Sequence, residues 1–253
     1  MRLSVKAIIT DLDNTLLHTD KSLSNRTVAA LRKCKEQGIR VMIATARPLR
    51  TTQHLADQIG AEELVVSNGA KVIAGGNCIP CGIPQERSAA LLNILSTHPA
   101  IRITLETGDH AYANKPIREY KTIQCGDLAE MARKEDTMKI LVHLDSQEIL
   151  EFVKESLPED MYYSISGGYL IQIMDKGATK WNGIRKMLET VNLSPEEVVY
   201  FGDDYDDVQP LKCCGVGVAV SNGIPQAKAA ADFVTDSNDA DGVAQFIEER
   251  ILK

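Results

Sequence analysis

The sequence has no apolar run approaching the roughly 20 residues needed to cross a bilayer. It also has no block rich in lysine and arginine, no internal repeat and no low-complexity linker. The first absence removes proteins that cross a membrane on an apolar helix. The second argues against broad contact with nucleic acid or anionic lipid, since both rest on clustered positive charge. The 28 basic residues against 35 acidic ones leave a formal charge of -7, and a small basic pocket remains compatible with that balance. A second cysteine pair is missing as well. Cys78-Ile79-Pro80-Cys81 has metal-ligand or redox spacing, but a structural zinc would need two more ligands, so reduced thiols are expected. Cys213 and Cys214 read as small apolar residues. The opening Met1–Lys6 and the short apolar run that ends at Asp11 are too brief for a signal peptide. The cytoplasm is the expected location.

What is present is an ordinary core-forming composition, 44% hydrophobic and 25% charged, in 253 residues. That length suits two domains, or one domain with a large insertion. Short apolar strands are expected at Ala7–Thr10, Ile39–Ala44 and Leu64–Val66, with helices at Thr27–Gln37 and Leu49–Ile59 between them. The pattern returns with helices at Lys180–Val191, Ile224–Ala231 and Gly242–Leu252. The strands that go with them are Val198–Phe201, Val216–Val220 and Phe233–Val234. Strands separated by helices indicate an α/β fold with a Rossmann-like parallel-sheet core. The middle alternates with period two at Ile101–Leu105 and Tyr169–Ile173, and adds a strand at Met138–Leu144. Helices are expected there at Gln85–Thr97, Asp127–Lys134 and Gln147–Leu157. The expected organisation is a discontinuous core, 1–82 with 176–253, carrying an inserted α+β cap domain at 83–175.

Four segments carry candidate chemistry. Asp11-Leu12-Asp13-Asn14-Thr15-Leu16 sets two carboxylates just past a buried strand, where open α/β sheets bind ligands; turn and cap roles also suit such residues. Ala44-Thr45-Ala46-Arg47-Pro48 puts a hydroxyl at a strand end, fit to meet a phosphoryl oxygen or to cap a helix. Lys180 opens a helix after Gly177-Ala178-Thr179, and taken alone it is a solvated charge. Gly202-Asp203-Asp204-Tyr205-Asp206-Asp207 gathers carboxylates that would repel one another, and a divalent cation is the simplest offset.

In this order the four segments resemble the haloacid dehalogenase superfamily, whose phosphatases carry an Asp-x-Asp-x-Thr motif, a Ser or Thr, a Lys and an acidic Gly-Asp-x-x-x-Asp motif. Leu16-Leu17-His18-Thr19-Asp20, Ser67-Asn68-Gly69-Ala70 and Val234-Thr235-Asp236-Ser237-Asn238 through Gly242-Val243-Ala244 are similar to its Cof-type branch. So is the position of the insert, after the third core strand. Asn14 and Ala46 stand where the family often has Gly, and Asp206 stands where it usually has Asn.

The resemblance implies a phosphatase acting on a small phosphorylated metabolite, a sugar phosphate or related organophosphate. Asp11 would be the nucleophile, and Asp13 would protonate the leaving alcohol and then activate water. Thr45 and Lys180 would hold the phosphoryl oxygens. Mg²⁺ would be bound by Asp11, the backbone carbonyl of Asp13, and Asp203, with Asp207 near or in the shell. Arg47, Asn68 and Asp206 are the substrate-side candidates, with Tyr112, Tyr120, Tyr163 and Tyr169 as possible contributors from the insert, which would close over the core. Asp206 either caps the following helix or sits by Lys180 or the metal, and the family position favours the second. No nucleic-acid or membrane partner is expected, and the chain is expected to be a monomer or homodimer. A phosphomutase using the same aspartate and a non-catalytic phosphate-binding protein are the alternatives.

Overall fold

The computed structural model describes residues 5–252; Met1–Ser4, the start of the opening stretch considered above, lie outside them. The chain forms two compact units. One runs to Ile79 and resumes at Thr179; the other spans Pro80–Ala178, where the sequence reading set the insert at 83–175.

The first unit starts with β1 (Ala7–Thr10), α1 (Asn25–Glu36), β2 (Arg40–Ala44), α2 (Leu49–Ile59) and β3 (Glu63–Val66). Two further strands follow, β4 (Lys71–Ala74) and β5 (Asn77–Pro80). The second unit comprises α3 (Gln85–Leu95), β6 (Ile103–Thr107), β7 (Ala111–Ala113), β8 (Ile123–Gln124), α4 (Leu128–Lys134), β9 (Thr137–His143), α5 (Gln147–Ser156), β10 (Met161–Ser166) and β11 (Leu170–Asp175). The first unit resumes with α6 (Lys180–Thr190), β12 (Val198–Gly202), α7 (Val208–Cys213), β13 (Val216–Val220), α8 (Pro225–Ala230), β14 (Phe233–Thr235) and α9 (Gly242–Phe246).

The core sheet has the order β14-β13-β12-β1-β2-β3-β4-β5. It is parallel from β14 to β3, and β4 joins antiparallel. Its inner strands are buried along their length, as in β1, β3 and β12. Unbroken apolar runs are what a sheet covered on both faces demands. Ile8, Ile43, Val66, Val199 and Phe201 pack in one cluster with Leu31 of α1, Leu55 of α2 and Val243 of α9. α6 and α7 meet the strands as well. α1 is fixed at its start by the Ser24 side chain, which accepts from the Thr27 N–H, and α2 stops at Gly60 in the left-handed region, φ 68.

From β1 the chain steps outward through β2 and β3; from β12 it steps outward the other way through β13 and β14. The boundary between β1 and β12 is therefore the topological switch point, where open α/β sheets leave a crevice beyond their strand ends. The local geometry at the end of β1 differs from a simple turn. Leu12–Leu16 forms one wide helical turn, with Leu17 N–H reaching Leu12 O at 2.8 Å, broken at Asp13 and at Asn14, whose φ is 57. Asn tolerates that conformation better than most side chains, which explains why it can stand where the family often has Gly. Ala46, the second such departure, is not among the residues with positive φ.

The inserted unit has the sheet order β10-β11-β9-β6-β7-β8. Neighbours are antiparallel except β7 and β8. One face carries Ile103, Leu105, Ile140, Val142, Ile171 and Ile173, packed with Leu92 of α3, Ala129 of α4 and Ile149 of α5.

Several elements went unread in the sequence. β4 and β5 are joined by Gly75-Gly76, both at positive φ (56 and 76), a two-residue hairpin signature. β5 places Cys78 in an extended edge, with Cys81 directly after it. Three residues of extended chain separate their Cα atoms by about 10 Å, beyond disulfide reach, and neither is in a disulfide. β7, β8 and β10 are short or half-exposed. The final helix, read as continuous to Leu252, changes at Phe246 to a wider turn over Ile247–Ile251, which keeps Ile247 and Ile251 both buried.

Candidate active site

The C-terminal ends of β12, β1, β2 and β3 deliver the candidate side chains from neighbouring positions: Asp203, Asp11, Thr45 and Asn68 each follow the strand directly or within two residues. Lys180 arrives differently, at the first turn of α6. That helix seats its Gly183 so closely on β3 and the loop after it that an added Cβ would lie 2.5 Å from Val65 Cγ1 and 3.0 Å from Gly69 Cα. Glycine is required there for approach, and the approach brings the α6 N-terminus to the strand ends.

Asp11, Thr45, Lys180, Asp203 and Asp207 are all buried. The solvated-lysine alternative is thereby removed: Lys180 is 5% exposed, and its Nζ lies 2.6 Å from Asp207 Oδ1 and 3.2 Å from Asp11 Oδ1. Oxygens of Asp11, Asp203 and Asp207 lie within 4.8 Å of one another. Three carboxylates against one ammonium is an imbalance, and it shows in the acidities of Asp11 and Asp203. Burial pushes Asp11 up to about 8; Lys180 opposes this, while Asp207 and Asp203 add to it. Burial likewise raises Asp203 to about 6, against a hydrogen bond from the Thr15 hydroxyl at 2.6 Å. Burial would lower Lys180, but Asp11 and Asp207 outweigh it and raise it above the ordinary lysine value.

The donor set suits a hard divalent cation: oxygen ligands only, buried, with a net negative charge that burial makes costly. The carboxylates are not equivalent. Asp207 Oδ1 accepts from Lys180 and from the Tyr200 hydroxyl at 2.5 Å, and its Oδ2 accepts the N–H groups of Asp203 and Asp204 at 2.9 and 3.1 Å. Both of its oxygens are engaged in holding neighbours. Asp203 spends Oδ1 on Thr15 and keeps a second oxygen for a ligand.

Asp13 stands apart from this cluster. Arg47 grips it at both oxygens, Nε to Oδ2 at 2.6 Å and Nη2 to Oδ1 at 2.7 Å, and Lys21 Nζ lies 2.9 Å from Oδ1. Burial alone would raise this carboxyl; the hydrogen bonds from Arg47 and Lys21 prevail and hold it at about 2. Thr45 does not cap α2, whose N-cap is Pro48. Its hydroxyl oxygen accepts from the Arg47 N–H at 3.2 Å, so its own hydrogen can point elsewhere. Asn68 donates its amide to Asp206; two residues expected to face substrate thus meet each other. Asp206 does not cap the helix that follows: the N-cap of α7 is Asp207, with no side-chain cap bond, and Asp204, whose side chain accepts from the Tyr205 N–H, caps the short turn that contains Asp206.

The four tyrosines divide. Tyr112 donates to Glu135 and Tyr120 to Thr104, both inside the insert; Tyr163 packs on the insert core and Tyr169 is exposed. Sequence reasoning passed over Lys21 and Tyr200. Nothing in the sequence marks Lys21. Tyr200 had a signal: a hydroxyl in an otherwise apolar buried strand must find a partner.

A family model for haloacid dehalogenase-like hydrolases matches residues 8–247. A 5-amino-6-(5-phospho-D-ribitylamino)uracil phosphatase of Bacillus subtilis is 27% identical, over 96% of this chain and 96% of its own length. Its counterpart of the same description in Escherichia coli is 27% identical, over 99% and 97%. A crystal structure from Thermotoga maritima superposes with a TM-score of 0.88 at 24% identity, covering 96% of this chain and 97% of that one; at that identity it speaks for the fold.

Proposed function

Because this chain belongs to the haloacid dehalogenase-like hydrolase family, we propose that it is a magnesium-dependent phosphatase of a small phosphorylated metabolite, working through an aspartyl phosphate on Asp11. The observation that carries the proposal is the buried cluster at the switch point: Asp11 held 3.2 Å from Lys180, with Asp203 and Asp207 beside it.

In the first step an Asp11 carboxylate oxygen bonds to phosphorus as the ester P–O bond breaks. Lys180 favours the ionised form of Asp11 against the burial that raises it, and offsets charge on the phosphoryl group; with a cation bound, the ionisation would be complete. Thr45 donates its free hydroxyl hydrogen to a phosphoryl oxygen. Asp11, Asp203 and the backbone carbonyl of Asp13 would hold the metal, while Asp207, with both oxygens occupied, fixes Lys180 and Asp203 in place. Magnesium, when bound, neutralises the charge developing on the transferring group.

Asp13 supplies the proton transfers: one to the leaving alkoxide, and one from the water that cleaves the acyl phosphate. Gripped by Arg47 and Lys21 it is a base. An incoming phosphate dianion competes for Arg47, and drawing the guanidinium away relieves the grip that keeps the carboxyl ionised, so Asp13 takes up a proton from solvent before giving it to the leaving alkoxide. Arg47 therefore serves both the substrate and the acid.

The two relatives named for 5-amino-6-(5-phospho-D-ribitylamino)uracil support a phosphate monoester of a small polyol, sugar or similar metabolite as the substrate class. The test is phosphate release across a panel of phosphorylated metabolites, with magnesium and after chelation. Release that needs magnesium is expected. An isomerised sugar phosphate without free phosphate would point to a mutase, and no turnover of any ester would overturn the proposal.

A further inference from the structure

Asp206 sets a problem for a phosphate site. Its charge is felt at Lys180, the group proposed to hold the phosphoryl oxygens of a dianion. Its neighbour Asp207 is fixed by four contacts, so the backbone at Asp206 has little freedom and only its side chain can be steered.

The loop after β3 does the steering. Ser67, Asn68 and Gly69 all have positive φ, at 51, 57 and 94. Successive non-glycine residues in that region are strained and persist only where the surroundings over-determine them. Here they do. The Ser67 N–H donates to Arg47 O at 2.8 Å and the Asn68 N–H to Thr45 O at 3.1 Å. Gly69 lies so near the start of α6 that an added Cβ would come within 2.1 Å of Thr179 O. The loop is pinned to the Thr45–Arg47 turn on one side and to the Lys180 helix on the other, so the buried Asn68 side chain is presented in one direction. It meets the exposed Asp206 carboxylate with its amide N–H₂, the only end of that side chain a carboxylate can accept from.

We propose that Asn68 is a positioning residue that ties down the Asp206 carboxylate, turning its charge from the phosphate, and so offsets the one acidic departure in the last motif. This rests on the phosphatase reading of the same site. Without the tie, the carboxylate swings toward the dianion and binding weakens; an uncharged residue at 206 needs no tie.

The test is a double-mutant cycle read by calorimetric binding of inorganic phosphate in magnesium, alongside KM and kcat. Asn68→Gly removes the amide and keeps a residue at home at positive φ. It should weaken phosphate binding and raise KM by roughly fivefold, as expected of one partly screened charge near a dianion, with a much smaller change in kcat. The loss should shrink at high salt. Asp206→Asn should tighten phosphate about twofold, and Asn68→Gly/Asp206→Asn should fall within about twofold of Asp206→Asn alone, since the tie has nothing left to hold. Effects that add in the double variant, or no effect of Asn68→Gly on phosphate, would overturn the proposal. Phosphate binding with no turnover of any ester would remove the phosphatase reading alone, and no phosphate binding by the wild-type chain would remove both.

Discussion

Both units of this protein bury charge, and they do so in opposite ways. In the insert, Glu106 and Lys139 are 6% and 3% exposed and stand directly opposite each other on adjacent strands, with Lys139 Nζ donating to Gln172 Oε1 at 3.1 Å on the next strand. Opposite charges in cross-strand register support each other. In the core, three buried carboxylates share one lysine. The insert balances its charge with its own residues, so that charge belongs to its architecture. The core leaves a surplus that protons or a cation would offset, and the proposed chemistry is placed there.

The largest test of this contrast is Asp11→Asn. An amide cannot act as the nucleophile, so kcat should fall by about 10⁴-fold or more, while thermal unfolding shows the fold retained or stabilised, because a buried surplus charge has been removed. A tenth of the wild-type rate would refute the covalent role.

Next is Lys139→Met. Leaving Glu106 buried without the opposite charge across the strand should cost about 3–5 kcal/mol in urea unfolding, and Glu106→Gln/Lys139→Met should recover much of it. Magnesium should not rescue the single variant, because among the described residues the one cluster of three carboxylates is in the core. A loss of less than 1 kcal/mol would show that the insert's charges are not coupled.

The smallest effect is one of pH. In the metal-free chain Asp11 titrates near 8 and Asp203 near 6, each raised from 3.8. Between about pH 4 and 8 the folded chain therefore holds protons that the unfolded chain has released, and stability falls as pH rises through that window. Asp13, lowered to about 2, adds stability that is lost only below the usual carboxylate range, outside this window. Magnesium competes with the protons on Asp11 and Asp203, so its stabilisation, about 2.7 kcal/mol at a hundredfold excess over Kd, should be larger at pH 8 than at pH 5.5. Melting curves with magnesium and with chelator measure it, and Asp11→Asn should flatten the chelated profile. Equal stabilisation at both pH values would separate these carboxylates from the metal.

Much of this was legible beforehand. The parallel-sheet core, its apolar strands and the residues at their ends follow from local patterns, because a strand buried on both faces must be apolar throughout and its break into Asp or Thr is conspicuous. β1, α2 and β13 matched the reading residue for residue. The half-exposed strands were missed, since alternation and β-branched content are weak signals over two to six residues. The candidate site was legible as a set of residue types, with Asp11, Asp13, Thr45, Lys180 and Asp203 each visible from its place after a strand or at a helix start.

The sequence by itself therefore determined the order of the parallel core's strands and helices, the surplus of acid around Gly202–Asp207 and the identity of the groups that could do chemistry. Only the tertiary structure decided their roles toward one another. It put Lys21 and Arg47 on Asp13, filled both oxygens of Asp207, drew the Tyr200 hydroxyl into the cluster and gave Asp206 to Asn68. The physical reason is range. Periodicity and turn chemistry act over a few residues and leave their mark locally, whereas a hydrogen bond from Asn68 to Asp206 spans 138 positions and exists only because parallel strands bring distant segments to the same edge.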